Sequence, residues 1–298
     1  MTGRFPQKQS IHIPVMPDEV ISFLDIKPDG TYVDGTCGLG GHSKLILNEL
    51  SLEGSLISVD LDQRAIEICK DNLSEYSSGL HIKKGSYSSL PIILGGLGID
   101  KVNGFLLDLG LSSMQLDSKD RGFSYSRDSY LDMRFDQSHT TSAADIINKA
   151  TETELADIIY RYGEERKSRY IAKKLIQYRP ISSVKDLVNA VKKVTPPQKR
   201  NRVIARVFQA FRIAVNKELE NLSEFLSKYS DHLEKGGKII IISFHSLEDR
   251  MVKRHFKEYH EKGILKILTK KPLVASDKER ESNSKSRSAK FRCAEKIV

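Results

Sequence analysis

Residues 31–43 read TYVDGTCGLGGHS. The β-prone Thr31, Tyr32 and Val33 end on an acid, Asp34. Four glycines in seven positions follow (Gly35, Gly38, Gly40, Gly41), and then the helix-compatible KLILNEL. The pattern predicts a strand, a tight glycine turn and a helix. Glycines there permit positive φ and close approach of a ligand to the backbone, while the helix N-terminus offers unpaired N–H groups. A second predicted strand, SLISVDLD, carries Asp60 at its carboxyl end, where a carboxylate is placed to take both hydroxyls of a ribose. Two successive βα units therefore point to a nucleoside-containing ligand.

A dinucleotide loop asks for G-x-G-x-x-G, and after Gly38-x-Gly40 the third position is Ser43. The alternative, a strand ending on Asp34 followed by Gly38-x-Gly40, needs no pyrophosphate cradle and suits S-adenosylmethionine. Glycines serving only to pack a helix tightly on a strand are the plain alternative to either.

At 298 residues and 39% hydrophobic, the chain supports a full core and exceeds one unit of average size, so an insertion or a second domain is expected. No apolar run is long enough to span a membrane and MTGRFPQKQS lacks a signal-peptide apolar region, which predicts a cytoplasmic protein. Cys37, Cys69 and Cys293 show no C-x-x-C spacing and the eight histidines no H-E-x-x-H pair, so neither a disulfide framework nor a metal is expected. The net charge of +9 is unevenly spread. Residues 1–160 are acidic, whereas residues 161–212 carry 15 basic against 3 acidic groups and residues 250–298 carry 15 against 6. Two basic blocks on a chain with a nucleoside site favour a polyanionic partner over solvated helix faces.

Along the chain, PDEVISFL predicts a short helix started by Pro17. His12, just before it, is a ligand contact or a packing residue. QRAIEICKDNL buries Cys69 on its apolar face, LHIKKGSY is a third strand ending near Tyr87, and VNGFLLD is a doubly buried fourth strand ending on Asp108. RGFSYSRDSYLDMRFD lacks a period and predicts a loop near the site. Helices follow: Thr151-x-x-Glu154 is a capping box, with Gly163 as the stop. The helix over about 201–216 sets Val203, Ile204, Val207, Phe208, Phe211 and Val215 on one arc and Arg202, Arg206, Gln209 and Arg212 on the other, a face suited to phosphates. Gly236-Gly237 predicts a turn before the β-branched KIIIISF, after which Ser243, His245, Ser246, Glu248, Asp249 and Arg250 form a polar cluster at the sheet's ligand edge. Two last strands, near 264–268 and 289–294, flank SDKERESNSKSRS, whose composition predicts a linker that is mobile or ordered by substrate.

Taken together, HIPVM (12–16), YVDGTCGLGGHS, Asp60, DLGLSSMQLD (108–117), RGFSY, LDMRFD, GEERKSR, FQAFRIAVNKEL, ISFHSLEDR and SRSAKFRCAEK resemble the MraW/RsmH family of bacterial 16S ribosomal RNA (cytosine-N4)-methyltransferases, nearly end to end. The resemblance implies an α/β fold, a class I S-adenosylmethionine-dependent (Rossmann-like) sheet with an inserted all-helical domain. Residues 1–118 and 215–298 would form the discontinuous cofactor domain and 119–214 the substrate- or RNA-binding insert. Gly40, Gly41, His42, Asp60, Tyr87, Asp108 and Gln115 would contact the cofactor, along with Gly38 of the glycine loop. The implied reaction is methylation of N4 of a cytosine in the decoding region of 16S ribosomal RNA within the small ribosomal subunit. Tyr87 stands where Phe is frequent, Ser284 replaces a Pro, and NRVIARVFQAFRI departs from the commoner A-T-R-x-F-Q-A. A carbon-5 mechanism needs a cysteine nucleophile, and no cysteine follows the fourth strand, so a nitrogen acceptor is favoured. Asp108 is the first candidate for accepting from the amino group and His245 the second. Another RNA base or ribose methyltransferase, or a non-catalytic RNA-binding assembly protein, is the alternative.

Overall fold

The computed structural model describes residues 14–298 apart from 77 and 119; His12 lies outside them. The chain divides into two compact units. One comprises the chain up to Asp60, Arg64–Gly110 and Leu226–Val298, and the other comprises Leu61–Gln63 and Leu111–Phe225. The helical unit thus takes in residues on both sides of the 119–214 span. Among the described residues no helix is long and apolar enough to cross a membrane.

The first unit is built on seven strands: β1 (Thr31–Asp34), β2 (Ser55–Asp60), β3 (Leu80–Lys84), β4 (Val102–Asp108), β5 (Leu233–Ser243), β6 (Leu265–Ile267) and β7 (Lys290–Lys296). Their order is β3-β2-β1-β4-β5-β7-β6. The first five are parallel, and β7 runs antiparallel between β5 and β6. This is the α/β sheet of class I methyltransferases. The strand order reverses between β1 and β4, and such a reversal opens a crevice beyond the carboxyl ends of the strands. Apolar runs explain the centre of the sheet: Phe105–Leu107 and Ile239–Ile242 are all buried, as strands covered on both faces require.

Two expectations fail here. Gly236-Gly237 does not make a turn ahead of the strand; β5 already begins at Leu233, and the register jumps from Val102↔Leu233 to Gly104↔Lys238. The glycines absorb that irregularity, Gly236 at φ 80°. Nor is SDKERESNSKSRS an unstructured linker. Ser276 caps a helix over Asp277–Ser282, Asn283 caps a 3-10 turn over Ser284–Ser288, and Ser286 is buried. Composition alone underrated these two local caps.

The second unit packs helices over Ala143–Lys149, Glu152–Gly163, Ser168–Gln177, Val184–Lys193 and Arg200–Asn216 around its own apolar core. Capping boxes start three of them, Ser142 with Asp145, Thr151 with Glu154 and Ser183 with Asp186. The second helix includes Gly163, and Glu164 takes the left-handed position expected of that glycine. The 121–136 segment is irregular, as its sequence predicts, yet it contributes Phe123, Leu131 and Met133 to this core. Arg121 holds it in place. The guanidinium, 1% exposed, pairs with buried Asp62 and donates to the carbonyls of Arg134 at 2.6 Å and Phe135 at 2.8 Å. Arg121→Ala would leave Asp62 buried without its main counter-charge, and the expected loss is about 3–5 kcal/mol. Chemical denaturation of the two proteins checks it.

Candidate functional site

The glycine turn is held from three directions. Gly35 N–H donates to Leu106 O and Cys37 N–H to Val59 O, both at 2.9 Å, which ties the turn to β4 and β2. Gly38 N–H donates to Asp60 Oδ2 at 2.9 Å. Gly38 and Gly40 sit at φ 51° and 89°, a conformation that side-chain-bearing residues rarely adopt. Gly41 then opens the helix Gly41–Glu49. Asp60 therefore organises the loop as well as standing at the end of β2.

Beneath the turn lies a buried polar network that the motif reading missed. Asp34, fully buried, accepts from Ser43 Oγ at 2.7 Å and from Thr36 N–H at 3.2 Å, and Ser43 Oγ lies 3.0 Å from Ser58 Oγ. The serine at the third glycine position is thus a hydrogen-bond junction for the strand-end acid. Burial pushes the Asp34 carboxyl above its ordinary value, and the nearby His42 with the Ser43 and Thr36 hydrogen bonds pulls against that rise. The signal was present in the strand-terminal Asp34, whose lack of a solvent partner at a buried position demands donors from its neighbours.

Asp108, at the end of β4, lies close to this turn. Its backbone N–H donates to Thr36 Oγ1 at 2.6 Å, and its Oδ2 stands 3.6 Å from His42 Nε2. His42 is 6% exposed; neither of its ring nitrogens nor Asp108 Oδ1 has a hydrogen-bond partner among the described residues. Buried polar atoms of this kind are costly unless a ligand or water meets them. Tyr87, half-buried after β3, approaches the same turn: a Cβ on Gly35 would meet Tyr87 Cβ at 3.1 Å and also clash with Leu107. The structure thus brings Gly38, Gly40, Gly41, His42, Asp60, Tyr87 and Asp108 together within one unit, at the carboxyl ends of β1 to β4.

Next to Asp108 the chain is pressed against Phe244. A Cβ on Gly110 would meet that ring at 2.7 Å, so a larger residue would have to displace Phe244. His245 then caps the helix Ser246–Glu261. Its Nδ1 accepts from Glu248 N–H at 3.3 Å, and Glu248 Oε2 returns to the N–H groups of Phe244 and His245. Its Nε2 lies 3.2 Å from Glu248 Oε1. The cap fixes the ring at the start of the helix that follows β5. Farther along this helix, Asp249 binds Arg292 at 2.7 Å and Lys290 at 3.2 Å; burial would raise its carboxyl, but these cations hold it below the usual range. Part of the second basic block is therefore internal.

Gln115 belongs to the helical unit. Its Oε1 accepts from Ser112 N–H at 3.0 Å and its Nε2 donates to Asp62 at 3.3 Å, so both ends of the amide are engaged. The arginine face expected on the helix Arg200–Asn216 is also largely committed. Arg206 pairs with Glu165 at 3.1 Å, Arg212 makes two bonds to Glu218 at 2.8 and 2.9 Å, and Gln209 donates to Tyr162 O at 2.9 Å. Only Arg202 of that set is exposed. The helix is buried on more than one side, Ala210 and Ile213 included, so its polar arc binds neighbouring helices.

The MraW methylase family matches residues 9–297 of the chain. Among its relatives, proteins named ribosomal RNA small subunit methyltransferase H are 46% identical in Kosmotoga olearia (98% of this chain, 99% of the relative) and 46% identical in Caldicellulosiruptor saccharolyticus (96% and 99%). The protein of that name in Desulfotalea psychrophila is 43% identical over 97% of this chain and 99% of its own.

Ser43→Ala removes a donor from buried Asp34, at an expected cost of about 1–3 kcal/mol. The pH dependence has a definite sign. A carboxyl raised in the folded state keeps its proton longer than in the unfolded chain, so stability falls as pH climbs past the ordinary Asp value. Loss of the Ser43 bond raises it further, and the variant's deficit should be larger at pH 7.5 than at pH 4.5 in denaturation curves.

Proposed function

From the premise that the chain belongs to the MraW methylase family, we propose that it methylates N4 of a cytosine in the decoding region of 16S ribosomal RNA, acting on the small ribosomal subunit in the cytoplasm. The protein is an S-adenosylmethionine-dependent methyltransferase of small-subunit ribosomal RNA. Assignment of residues rests on one observation above all: His42 Nδ1 and Nε2 and Asp108 Oδ1 are buried polar atoms without hydrogen-bond partners among the described residues, next to a glycine turn anchored by Asp60. A ligand rich in polar groups fits that set.

When bound, S-adenosylmethionine supplies an electrophilic methyl group on a sulfonium. The chain's part is to bind and orient. Asp60 offers its carboxylate to the ribose hydroxyls while keeping Gly38 in place, and the turn from Gly38 to Gly41 lets the ligand lie against backbone. Tyr87 presents an aromatic ring to the adenine. Asp108 Oδ1 accepts a hydrogen bond from the amino group of the cytosine and takes the proton that the nitrogen gives up, with His42 steadying its other oxygen. Holding the reactants in line is worth up to ~7–11 kcal/mol of barrier. His245 acts through the cap that sets the β5 end. The cysteines support a nitrogen acceptor over carbon 5: Cys37, Cys69 and Cys293 are all buried, hydrogen bonding to Cys69 and burial push Cys37 well up, and burial pushes Cys293 up to about 12. Thiols in such surroundings are poor nucleophiles.

Asp60→Ala should weaken S-adenosylhomocysteine by about 2–4 kcal/mol in calorimetry, since charged hydrogen bonds to the ligand and the Gly38 anchor go together. Asp108→Ala should lower turnover and cofactor affinity, while Ser at all three cysteine positions should preserve methylation. Labelled cofactor with small subunits, then nuclease digestion and mass spectrometry, tests the reaction: N4-methylcytidine is expected, and 5-methylcytidine or a 2′-O-methyl nucleoside would overturn it.

A further inference from the structure

The helical unit contains an open cleft of about 490 Å³ lined by Tyr178, Asp186, Asn189, Lys192, Lys193 and Arg200. Asp186, Asn189 and Lys193 recur at helical spacing on Val184–Lys193, Tyr178 ends the helix Ser168–Gln177, and Arg200 starts Arg200–Asn216. Three helices thus converge on it. Its charges are also unlike those of the neighbouring arginine face, where Arg206 and Arg212 are tied to glutamates. Lys192 and Lys193 are exposed and have no ion-pair partner among the described residues. Arg200 donates from Nε to Thr195 O over a long 3.3 Å, and among the described residues it has no ion-pair partner. The one acid, Asp186, is already engaged by the N–H groups of Ser182 and Ser183, and its carboxyl sits below the usual value because, against the burial that would raise it, these bonds prevail.

Tyr178 adds the second ingredient. The residue is 43% exposed; Tyr125, Tyr130, Tyr160 and Tyr170 are also exposed, but Tyr178 is the one that lines this cleft, and Lys174 Nζ lies 5.9 Å from its ring centroid. Lysines in the last turn of a helix do favour the carbonyl end of its dipole. That role requires neither an open tyrosine face nor an amide-bearing Asn189 beside them. An exposed ring flanked by unpaired cations is the arrangement that binds single-stranded nucleic acid, in which the base stacks and the phosphates meet the cations. The volume falls in the range of small-ligand sites and admits one nucleotide.

We propose that this cleft is a docking subsite for one unpaired nucleotide of the RNA substrate: Tyr178 stacks on the base, Asn189 hydrogen-bonds its edge, and Lys192, Lys193 and Arg200 take the flanking phosphates. The assignment rests on the reading that the substrate is ribosomal RNA. It places docking away from the committed arginines of the helix Arg200–Asn216.

The test uses the full chain with protein-free 16S ribosomal RNA and, separately, with intact small subunits. Tyr178→Ala should weaken RNA binding about 5- to 150-fold, the range for loss of one stacked base, while Tyr178→Phe should bind as wild type. Lys192→Gln with Lys193→Gln should make the salt dependence of binding shallower by about 0.7 in log–log slope per lysine. In every variant S-adenosylhomocysteine affinity should stay unchanged and the loss should appear in KM for the RNA more than in kcat. Variants that bind RNA as wild type with an unaltered slope overturn the subsite; if wild-type protein still methylates the RNA, the enzymatic reading stands without it. Variants that lose RNA binding while wild-type protein methylates nothing sustain the subsite and remove the enzymatic reading. A defect seen with intact subunits and absent with protein-free RNA assigns the cleft to a ribosomal protein and overturns the proposal.

Discussion

One hydrogen bond, from the backbone N–H of Gly38 to the carboxylate of Asp60, couples the ends of the first two strands, and the arrangement of the site depends on it. The bond requires a left-handed residue at 38, which is why glycine stands there. It also requires an acid at the last position of β2, in register with the turn that follows β1. With the loop pinned, the helix after it begins at Gly41 and carries His42 to within 3.6 Å of Asp108. The same carboxylate that a motif reading reserves for a ribose therefore has structural work before any ligand arrives, and binding and loop order are linked through it.

Local patterns were the most legible part of the sequence. The strand ending on Asp34, the apolar run at 105–107 and the capping box at Thr151 each record a constraint satisfied within a few residues, and such constraints leave short-range traces. Where the reading fell short, the deciding partner lies on another element, whether 41 residues away, as Glu165 is from Arg206, or only six, as Glu218 is from Arg212. Arg206 and Arg212 look free on a helical wheel, and only folding brings Glu165 and Glu218 to them. His245, the second candidate beside Asp108, takes Glu248 N–H on its Nδ1, a bond that the motif does not announce. Gly236-Gly237 reads as a turn, because its true task, absorbing a register jump against β4, is a property of two strands together. The residues picked by position in the glycine loop and at the strand ends do meet in the fold; the strand-terminal Asp34 signals a need for donors beneath them, but no spacing rule links 34 to 58 and names Ser43 and Ser58 as its network.

Charge gave a similarly divided lesson. The basic block at 161–212 is real in composition, but its arginines and lysines do different things once folded. Arg212 forms a bidentate pair with Glu218, in keeping with its planar fork, and Arg206 pairs with Glu165, whereas Arg161, Arg166, Arg169 and Arg202 stay at the surface with most of the lysines. In the last strand, Arg292 is drawn inward by Asp249 while its neighbours Phe291 and Cys293 fill the core. Net charge of a segment is thus an upper bound on what a polyanion meets.

The strand order has a consequence for biosynthesis. β5 and β7 are internal strands of the sheet, continuing it beyond β4, but come from the last third of the chain, after the entire Leu111–Phe225 segment. During translation β4 waits with one edge unpaired while the ribosome makes more than a hundred further residues, and an unpaired apolar edge is the kind of surface that aggregates. The helical segment, whose contacts are mostly among its own nearby helices, is free to fold in that interval. Ending the chain before Lys290 would leave β5 without its antiparallel neighbour, so quality control of a truncated product acts on the sheet and spares the helices.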